Sequence, residues 1–337
     1  MRKLLYITLL AIMAVSVATS CKDKSPIAQA ISQYKAGEIS DDSLLQVLSD
    51  SSNLKSALEW AQKNLSHDDY AAFILGRAYK FGLGVERNPN KAKAYYIMSA
   101  NQDNTNAMMG LAELYAGYPG HEDIDSAFYW FKKAGEKGDG SAYFYLGQLE
   151  GMRQAKENHL IDTTAIIKYW EKGAKLNDPS CISAMATSYY TGQGVPVDKN
   201  KAFNMLSLVD ESKLDPNGLY LLGVMYELGE GTPQNFNAAL HYDRLAATKG
   251  NTDAICKLGN FYQYGQGVEQ NDSIAFVNYQ KAANAGNAWA QRCVAACYNA
   301  GVGTERNIDK ARTWFEIAAK NGDFEAQKFC SEHRIEY

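Results

Sequence analysis

One short phrase recurs along this chain and limits what it can fold into. Tyr followed by Gly three and five residues later appears at Tyr79 to Val85, Tyr189 to Val195, Tyr226 to Thr232, Tyr262 to Val268 and Tyr298 to Thr304. Upstream of each stands a small or apolar pair: Leu75-Gly76, Met185-Ala186, Leu222-Gly223, Leu258-Gly259 and Val294-Ala295. Downstream comes a second set spaced i, i+3, i+4, i+7, such as Ala92, Tyr95, Tyr96 and Ser99, or Ala275, Asn278, Tyr279 and Ala282, or Ala311, Trp314, Phe315 and Ala318. Several units close on Gly, at Gly138, Gly250, Gly286 and Gly322. Two looser units lie between the first clear one and the second. One runs Ala107, Leu111, Tyr115, then Ala127, Trp130, Phe131, Ala134; the other runs Ala142, Leu146-Gly147, then Ile166, Tyr169, Trp170, Gly173. Anchored at the start of the first helix, the seven units begin at 71, 107, 142, 181, 218, 254 and 290, with spacings of 36, 35, 39, 37, 36 and 36. A chain of 337 residues would otherwise suggest about two globular domains. A repeat of this period overrides that expectation.

The residue types fit a helix pair per unit. Residues three and four apart share a helix face. In the first helix, A, the anchor and positions +4, +5 and +8 form the buried stripe; in the second, B, the stripe is Ala, an aromatic pair and a second Ala. Small residues in both stripes let helices approach closely. The Gly-x-Gly lets the chain turn with positive φ between A and B. Pro89 and Pro196 fall in those connections, where they interrupt no helix. One pair cannot bury its own apolar face, so pairs must stack. The expected class is all-α: an α-solenoid of stacked antiparallel helix pairs.

The phrase Leu-Gly-x-x-Tyr-x-x-Gly-x-Gly-Val, followed by Lys-Ala-x-x-Trp/Tyr-Tyr/Phe-x-x-Ala-Ala, resembles the Sel1-like repeat, a relative of the tetratricopeptide repeat. Leu75 to Tyr96, Leu258 to Ala283 and Ala311 to Ala319 match best, and the resemblance spans roughly residues 55–330. Three units depart from it. The second has Ala-Gly-Tyr-Pro-Gly after Tyr115; the third has Glu150 in place of Tyr and a polar connection from Met152 to Thr163; the fourth ends at Asp215-Pro216 without its closing Gly. These departures read as relaxed repeats rather than bends. The resemblance implies an adaptor role in assembling envelope or signalling complexes and adds no catalytic residues.

The first residues are of another kind. Arg2 and Lys3 precede an apolar run from Leu4 to Val17, then Ala18, Thr19, Ser20 and Cys21. Basic, apolar, small is the order of a secretory signal. The run is shorter than the roughly 20 residues a membrane-spanning helix needs. Ala18-Thr19-Ser20-Cys21 resembles the bacterial lipobox, which implies diacylation of Cys21 and anchoring on a membrane, the outer membrane being expected. The expected division is a signal peptide at 1–20, a tether at 21–40, capping helices at 41–66, seven repeats at 67–323, and a capping helix with tail at 324–337. Within the caps, Ala57, Trp60 and Ala61 read as a lone helix B, Asp42 to Leu48 as a short helix before it, and Ala326 to Cys330 as a lone helix A.

Little points to chemistry. Net charge is −4, from 34 basic and 38 acidic residues, with no basic run to suggest nucleic acid. His67, His121, His159, His241 and His333 are scattered and form no metal-ligand spacing. No cofactor or metal is expected. Gly82-Leu83-Gly84 and its equivalents follow a helix rather than a strand, so they read as turns and not as phosphate loops. Cys181, Cys256, Cys293, Cys297 and Cys330 fall on A helices and read as small buried residues. A single bridge between Cys297 and Cys330, on neighbouring A helices, is the pairing left open.

At roughly 100° per residue, positions −1, +2, +6 and +9 of helix A point away from its core stripe. By resemblance to tetratricopeptide stacks, that face lines a groove. The expected partner-binding residues are Phe73, Arg77 and Lys80 in the first unit, Met109 and Glu113 in the second, and Phe144 and Gln148 in the third. Thr187 and Tyr190 follow in the fourth, Tyr220 and Glu227 in the fifth, Asn260 and Gln263 in the sixth, and Trp289, Arg292 and Asn299 in the seventh. This mixture of aromatics and hydrogen-bonding groups suits a peptide or a polar polymer. The leading reading is a non-catalytic scaffold for a protein or peptide, anchored by lipid. A glycan- or nutrient-binding accessory subunit is the alternative. An envelope hydrolase is a third, but it would need a clustered acid, base or nucleophile, and none is legible.

Overall fold

The computed structural model describes residues 26–39, 43–44, 46–47, 50–117, 123–156 and 161–337. The expected signal segment, Cys21, much of the expected helix at Asp42 to Leu48, His121 and His159 lie outside the described residues. Among the described residues there are seventeen helices and no strand. They are α1 (Pro26–Lys35), α2 (Ser51–Asn64), α3 (Asp69–Phe81), α4 (Pro89–Ala100), α5 (Thr105–Ala116), α6 (Ile124–Glu136), α7 (Gly140–Lys156), α8 (Thr163–Lys175) and α9 (Pro179–Thr191). The series continues with α10 (Lys199–Ser207), α11 (Pro216–Leu228), α12 (Phe236–Thr248), α13 (Thr252–Tyr264), α14 (Asp272–Asn284), α15 (Ala288–Ala300), α16 (Ile308–Lys320) and α17 (Phe324–Glu332). The chain forms two compact units, divided between Ala142 and Tyr143. Within each, every substantial contact joins helices one or two steps apart in the chain. That is the contact pattern of stacked pairs, in which each repeat touches only its neighbours.

The odd-numbered helices from α3 to α15 are the A helices, and each expected anchor is its third residue. Ala71, Ala107, Ala142, Cys181, Ala254 and Ala290 are all fully buried, and Ala326 of α17 repeats the position. The helix starts are set by side chains. Asp68, Asn104, Asp178, Asp215, Asn251, Asn287 and Asp323 cap the A helices α3, α5, α9, α11, α13, α15 and α17, each accepting from an N–H of the first turn. Such a cap contributes about 1 kcal/mol. Some caps do a second job between units. Asn104 Nδ2 donates to Asp69 Oδ2 at 2.7 Å, and Asn287 Nδ2 to Asp253 Oδ1 at 2.6 Å, tying each helix start to that of the preceding A helix.

The two glycines of the repeated phrase have different tasks. The first (Gly82, Gly192, Gly229, Gly265, Gly301) ends helix A in the left-handed conformation. The second is a close approach as well as a positive φ. A Cβ on Gly84 would strike Leu54 and Leu58 of α2, one on Gly194 would strike Thr163 and Ile167 of α8, and one on Gly303 would strike the Asp272 carbonyl of α14. So the A–B loop rests on the preceding helix B, and the phrase encodes stacking between units as well as a turn.

Glycine at +5 of helix A serves the pair itself. Tyr96 sits in the notch at Gly76, Trp170 at Gly147 and Tyr279 at Gly259. The +8 tyrosine stacks on the first aromatic of the B stripe: Tyr79 on Tyr95 at 5.6 Å, Tyr226 on Tyr242 at 5.6 Å. Its other side meets the preceding helix B edge-on, as Phe203 meets Tyr226 and Phe276 meets Tyr298.

Two stretches differ from the sequence reading. Residues 26–35, expected within a tether, form α1, with Ala30 and Ile31 buried. The polar connection expected from Met152 begins as helix, because α7 runs on to Lys156. No positive-φ glycine stops it there, and Glu150 accepts from Arg153 at 2.9 Å and from Gln154 at 2.8 Å across the next turn.

Candidate functional site

Among the described residues, the A helices of each compact unit form a recess, and the two recesses are built in the same register. The first lies between α3 and α5 and is lined by Phe73, Arg77, Lys80, Phe81, Tyr96, Asn106, Met109, Gly110 and Glu113, with a volume of about 160 Å³. The second lies between α13 and α15, about 320 Å³, and is lined by Asn260, Gln263, Tyr264, Tyr279, Trp289, Arg292, Cys293, Ala296, Cys297, Ala300 and Val302. In both, positions +6 and +9 of one A helix face −1, +2 and +6 of the next. The floor is a tyrosine from helix B, reaching through the +5 glycine notch.

This brings together nine of the expected groove residues: Phe73, Arg77, Lys80, Met109 and Glu113 in one recess, and Asn260, Gln263, Trp289 and Arg292 in the other. Phe73 is not open to a partner, since it is only 2% exposed. Tyr34 of α1 stacks parallel to it at 6.0 Å, and Tyr70 meets both rings edge-on. Arg77 is also buried, its guanidinium 5.4 Å from the Phe73 ring. In the second recess Arg292 is held by Asp323, with Nε to Oδ1 at 2.9 Å.

Several expected residues, inside the recesses and outside them, are already engaged by neighbours. Lys80 pairs with Glu113, and Lys257 with Glu227, each linking successive A helices. The Tyr190 hydroxyl donates to Glu230 at 2.6 Å, and Lys199 pairs with the same carboxylate. Lys199, then Tyr190, holds the Glu230 carboxyl below the usual carboxylate range. Burial, with Glu230 beside it, pushes Tyr190 up to about 12. Thr187 donates back to its own helix at Ser183, Tyr220 is half-buried, and Gln148 and Asn299 are exposed. The Phe144 carbonyl accepts from the Trp170 indole at 3.4 Å.

The Tyr279 hydroxyl lies 2.7 Å from both Asn260 Oδ1 and Gln263 Oε1 and donates to one of them. Burial pushes its pKa up, so it remains a donor. Removing it in Tyr279→Phe is expected to cost about 1 kcal/mol in urea unfolding while freeing both amides toward the recess. An unchanged midpoint would mean that these hydrogen bonds are not formed.

The sequence reading missed one residue in this register. Asp243 stands where other units place Tyr96, Tyr279 or Phe315. It is fully buried, its carboxyl lies against Gly223, and among the described residues neither oxygen has a hydrogen-bond partner. Burial pushes its pKa up to about 8. Aligning the B helices column by column would have exposed it.

The bridge left open between Cys297 and Cys330 is absent: both are free thiols, in different core clusters. Cys297 is seven residues past its anchor and Cys330 only four, so they sit about 4.5 Å apart in height along their helices. His67, His241 and His333 are exposed, and His241 lies 2.9 Å from Glu211. Among the described residues, no group of three or more His, Cys, Asp or Glu side chains is placed to hold a metal ion. No described helix is long and apolar enough to cross a membrane.

Consecutive helix pairs joined by Gly-x-Gly turns, stacked on their neighbours, define a helical-repeat fold. The chain belongs to the Sel1 repeat family, whose profile matches residues 69–104, 105–139, 179–208, 216–251, 252–287 and 290–323, more than half of its length. The matched repeats number six; the α7–α8 pair, where Glu150 replaces the repeat tyrosine, falls outside them. A crystal structure of a Sel1 repeat protein from Oxalobacter formigenes is similar over 94% of this chain and 93% of its own, at 24% identity and a TM-score of 0.59. A protective antigen of uropathogenic Escherichia coli strains, with an SLR fold, is similar over 82% of this chain at 26% identity and a TM-score of 0.63. This chain spans 58% of that antigen's length. No curated protein sequence matches.

Proposed function

We propose that this chain is a non-catalytic scaffold that binds a protein or peptide along its A-helix face, held at the cell envelope by a lipid on Cys21. The observation that carries the reading is the repetition of one recess design. In each, a helix-B tyrosine forms the floor, one arginine stands in the wall (Arg77 or Arg292), and amide or carboxylate groups stand beside it (Asn106 and Glu113, or Asn260 and Gln263). An aromatic floor with hydrogen-bonding groups beside it suits the side chains of a peptide or protein partner. Membership of the Sel1 repeat family, whose members commonly mediate protein–protein interaction, supports it.

Trp289 and Met109 are partly exposed and belong to separate recesses, which makes them the anchors to test. Peptide and glycan arrays probed with the protein should give peptide binders. Trp289→Ala should weaken the best of them about tenfold or more, as expected for an aromatic anchor. Binding confined to the glycan array would favour the accessory-subunit reading. Binding indifferent to both Trp289→Ala and Met109→Ala would remove this face as the site. The anchor has its own test: metabolic labelling with a fatty acid should mark the protein and fail to mark Cys21→Ser.

A further inference from the structure

We propose that Cys256 and Cys293 are a redox pair, closed to a disulfide by hydroperoxide, that locks α13 to α15 at the edge of the second recess. The proposal stands on where the helix register puts the two thiols, and it does not depend on what the A-helix face binds.

Cys256 is two residues past its anchor Ala254, and Cys293 is three past Ala290. On adjacent A helices those positions differ in height by only about 1.5 Å, and Cys293 packs against the core cluster that contains Cys256. Closing the pair asks the side-chain torsions to bring the sulfurs to a bond of about 2.05 Å. Cys256 shares that cluster with Tyr279.

The two thiols are unequal. Cys293 is half-buried and lines the recess, which gives a small oxidant a route to it. Cys256 is fully buried behind it. Interaction with the Cys256 thiol, then the charge of Arg292, holds Cys293 below the usual thiol range. Cys293 is therefore the nucleophile and Cys256 the resolving thiol.

The chemistry balances in two steps. The Cys293 thiolate attacks one peroxide oxygen. The O–O bond breaks, a sulfenic acid forms, and the departing hydroxide takes a proton to leave as water. The Cys256 sulfur then attacks Sγ of Cys293. The S–O bond breaks, the S–S bond forms, and the Cys256 proton leaves with the hydroxyl as a second water. Two thiols are oxidised by two electrons, and one peroxide is reduced.

The test uses the full folded chain. It is treated with hydrogen peroxide, alkylated, and digested unreduced with trypsin, which cuts after Lys257 and Arg292 and places Cys256 and Cys293 on separate short peptides. Mass spectrometry should find those peptides joined and lighter by two hydrogens, exceeding every other cysteine pair about tenfold. In Cys256→Ser, the Cys293 sulfenic acid should persist and be captured by dimedone, with little capture in the unsubstituted protein. Cys297 shares a tryptic peptide with Cys293, so the fragment spectrum assigns the linked residue. A Cys293–Cys297 link, no link between Cys256 and Cys293, or equal dimedone capture with and without Cys256 would each overturn the assignment. The peptide map of the unsubstituted protein decides the question even if the variant folds poorly.

Discussion

Replacing Asp243 by asparagine is expected to stabilise the protein, by an amount that grows as the pH rises from 4 to 8. Asp243 occupies an aromatic slot of the repeat, fully buried, with its oxygens unpartnered among the described residues. Burial lifts its pKa from 3.8 to about 8. The folded-state value is thus above the unfolded one. The acid's contribution is fully present below about pH 4 and is lost as the pH climbs through about 8. Across that window the unfolded chain releases its proton while the folded chain keeps it. At pH 7 the difference amounts to about 4 kcal/mol, from 1.36 kcal/mol per pKa unit. Asparagine cannot ionise, so the urea midpoints of the two proteins should nearly coincide at pH 4 and diverge steadily above it. Midpoints that stay parallel with pH would show that Asp243 is ionised or partnered in the folded protein.

Gly303→Ala is expected to destabilise by about 3 kcal/mol, combining left-handed backbone strain with overpacking. Gly303 has φ +68°, and an added Cβ would drive into the Asp272 carbonyl in the first turn of α14. A backbone carbonyl cannot swing aside, so the loop must lift from the preceding helix. Gly286 is the control: its φ is +91°, yet an added Cβ meets nothing within 4 Å. Gly286→Ala should therefore cost only about 1 kcal/mol, from the backbone term alone. Similar losses at the two sites, read from urea unfolding, would mean that the second glycine of the phrase serves the turn and not the stack.

Much of the fold was legible because the repeat writes it locally. Ala71, Ala107 and Ala254 are buried where a helical period of 3.6 places them, and Gly82 and Gly265 turn the chain where positive φ is needed. The face carrying Arg77, Met109, Gln263 and Trp289 was legible for the same reason, since it is the opposite side of the same helices. The cap residues were not read from the sequence, although Asp or Asn stands three residues before each of the anchors Ala71, Ala107, Ala254 and Ala290. The α7 extension was not legible, because Glu150 removes the tyrosine that marks the turn and starts a polar network that prolongs the helix.

The sequence by itself determined the helix pair, the glycines that turn it and which side of each A helix is free of its own core. Those follow from interactions within about 36 residues, and the repeat spells them out several times over. Only the tertiary structure decided what covers that side. Tyr34 closes over Phe73, Asp243 is shut into a slot made for an aromatic ring, and Cys256, Cys293 and Cys297 are gathered around one core cluster. The reason is geometric. Periodicity fixes the direction in which a side chain points, whereas a contact between helices depends on their relative height, and each residue of offset moves that height by about 1.5 Å.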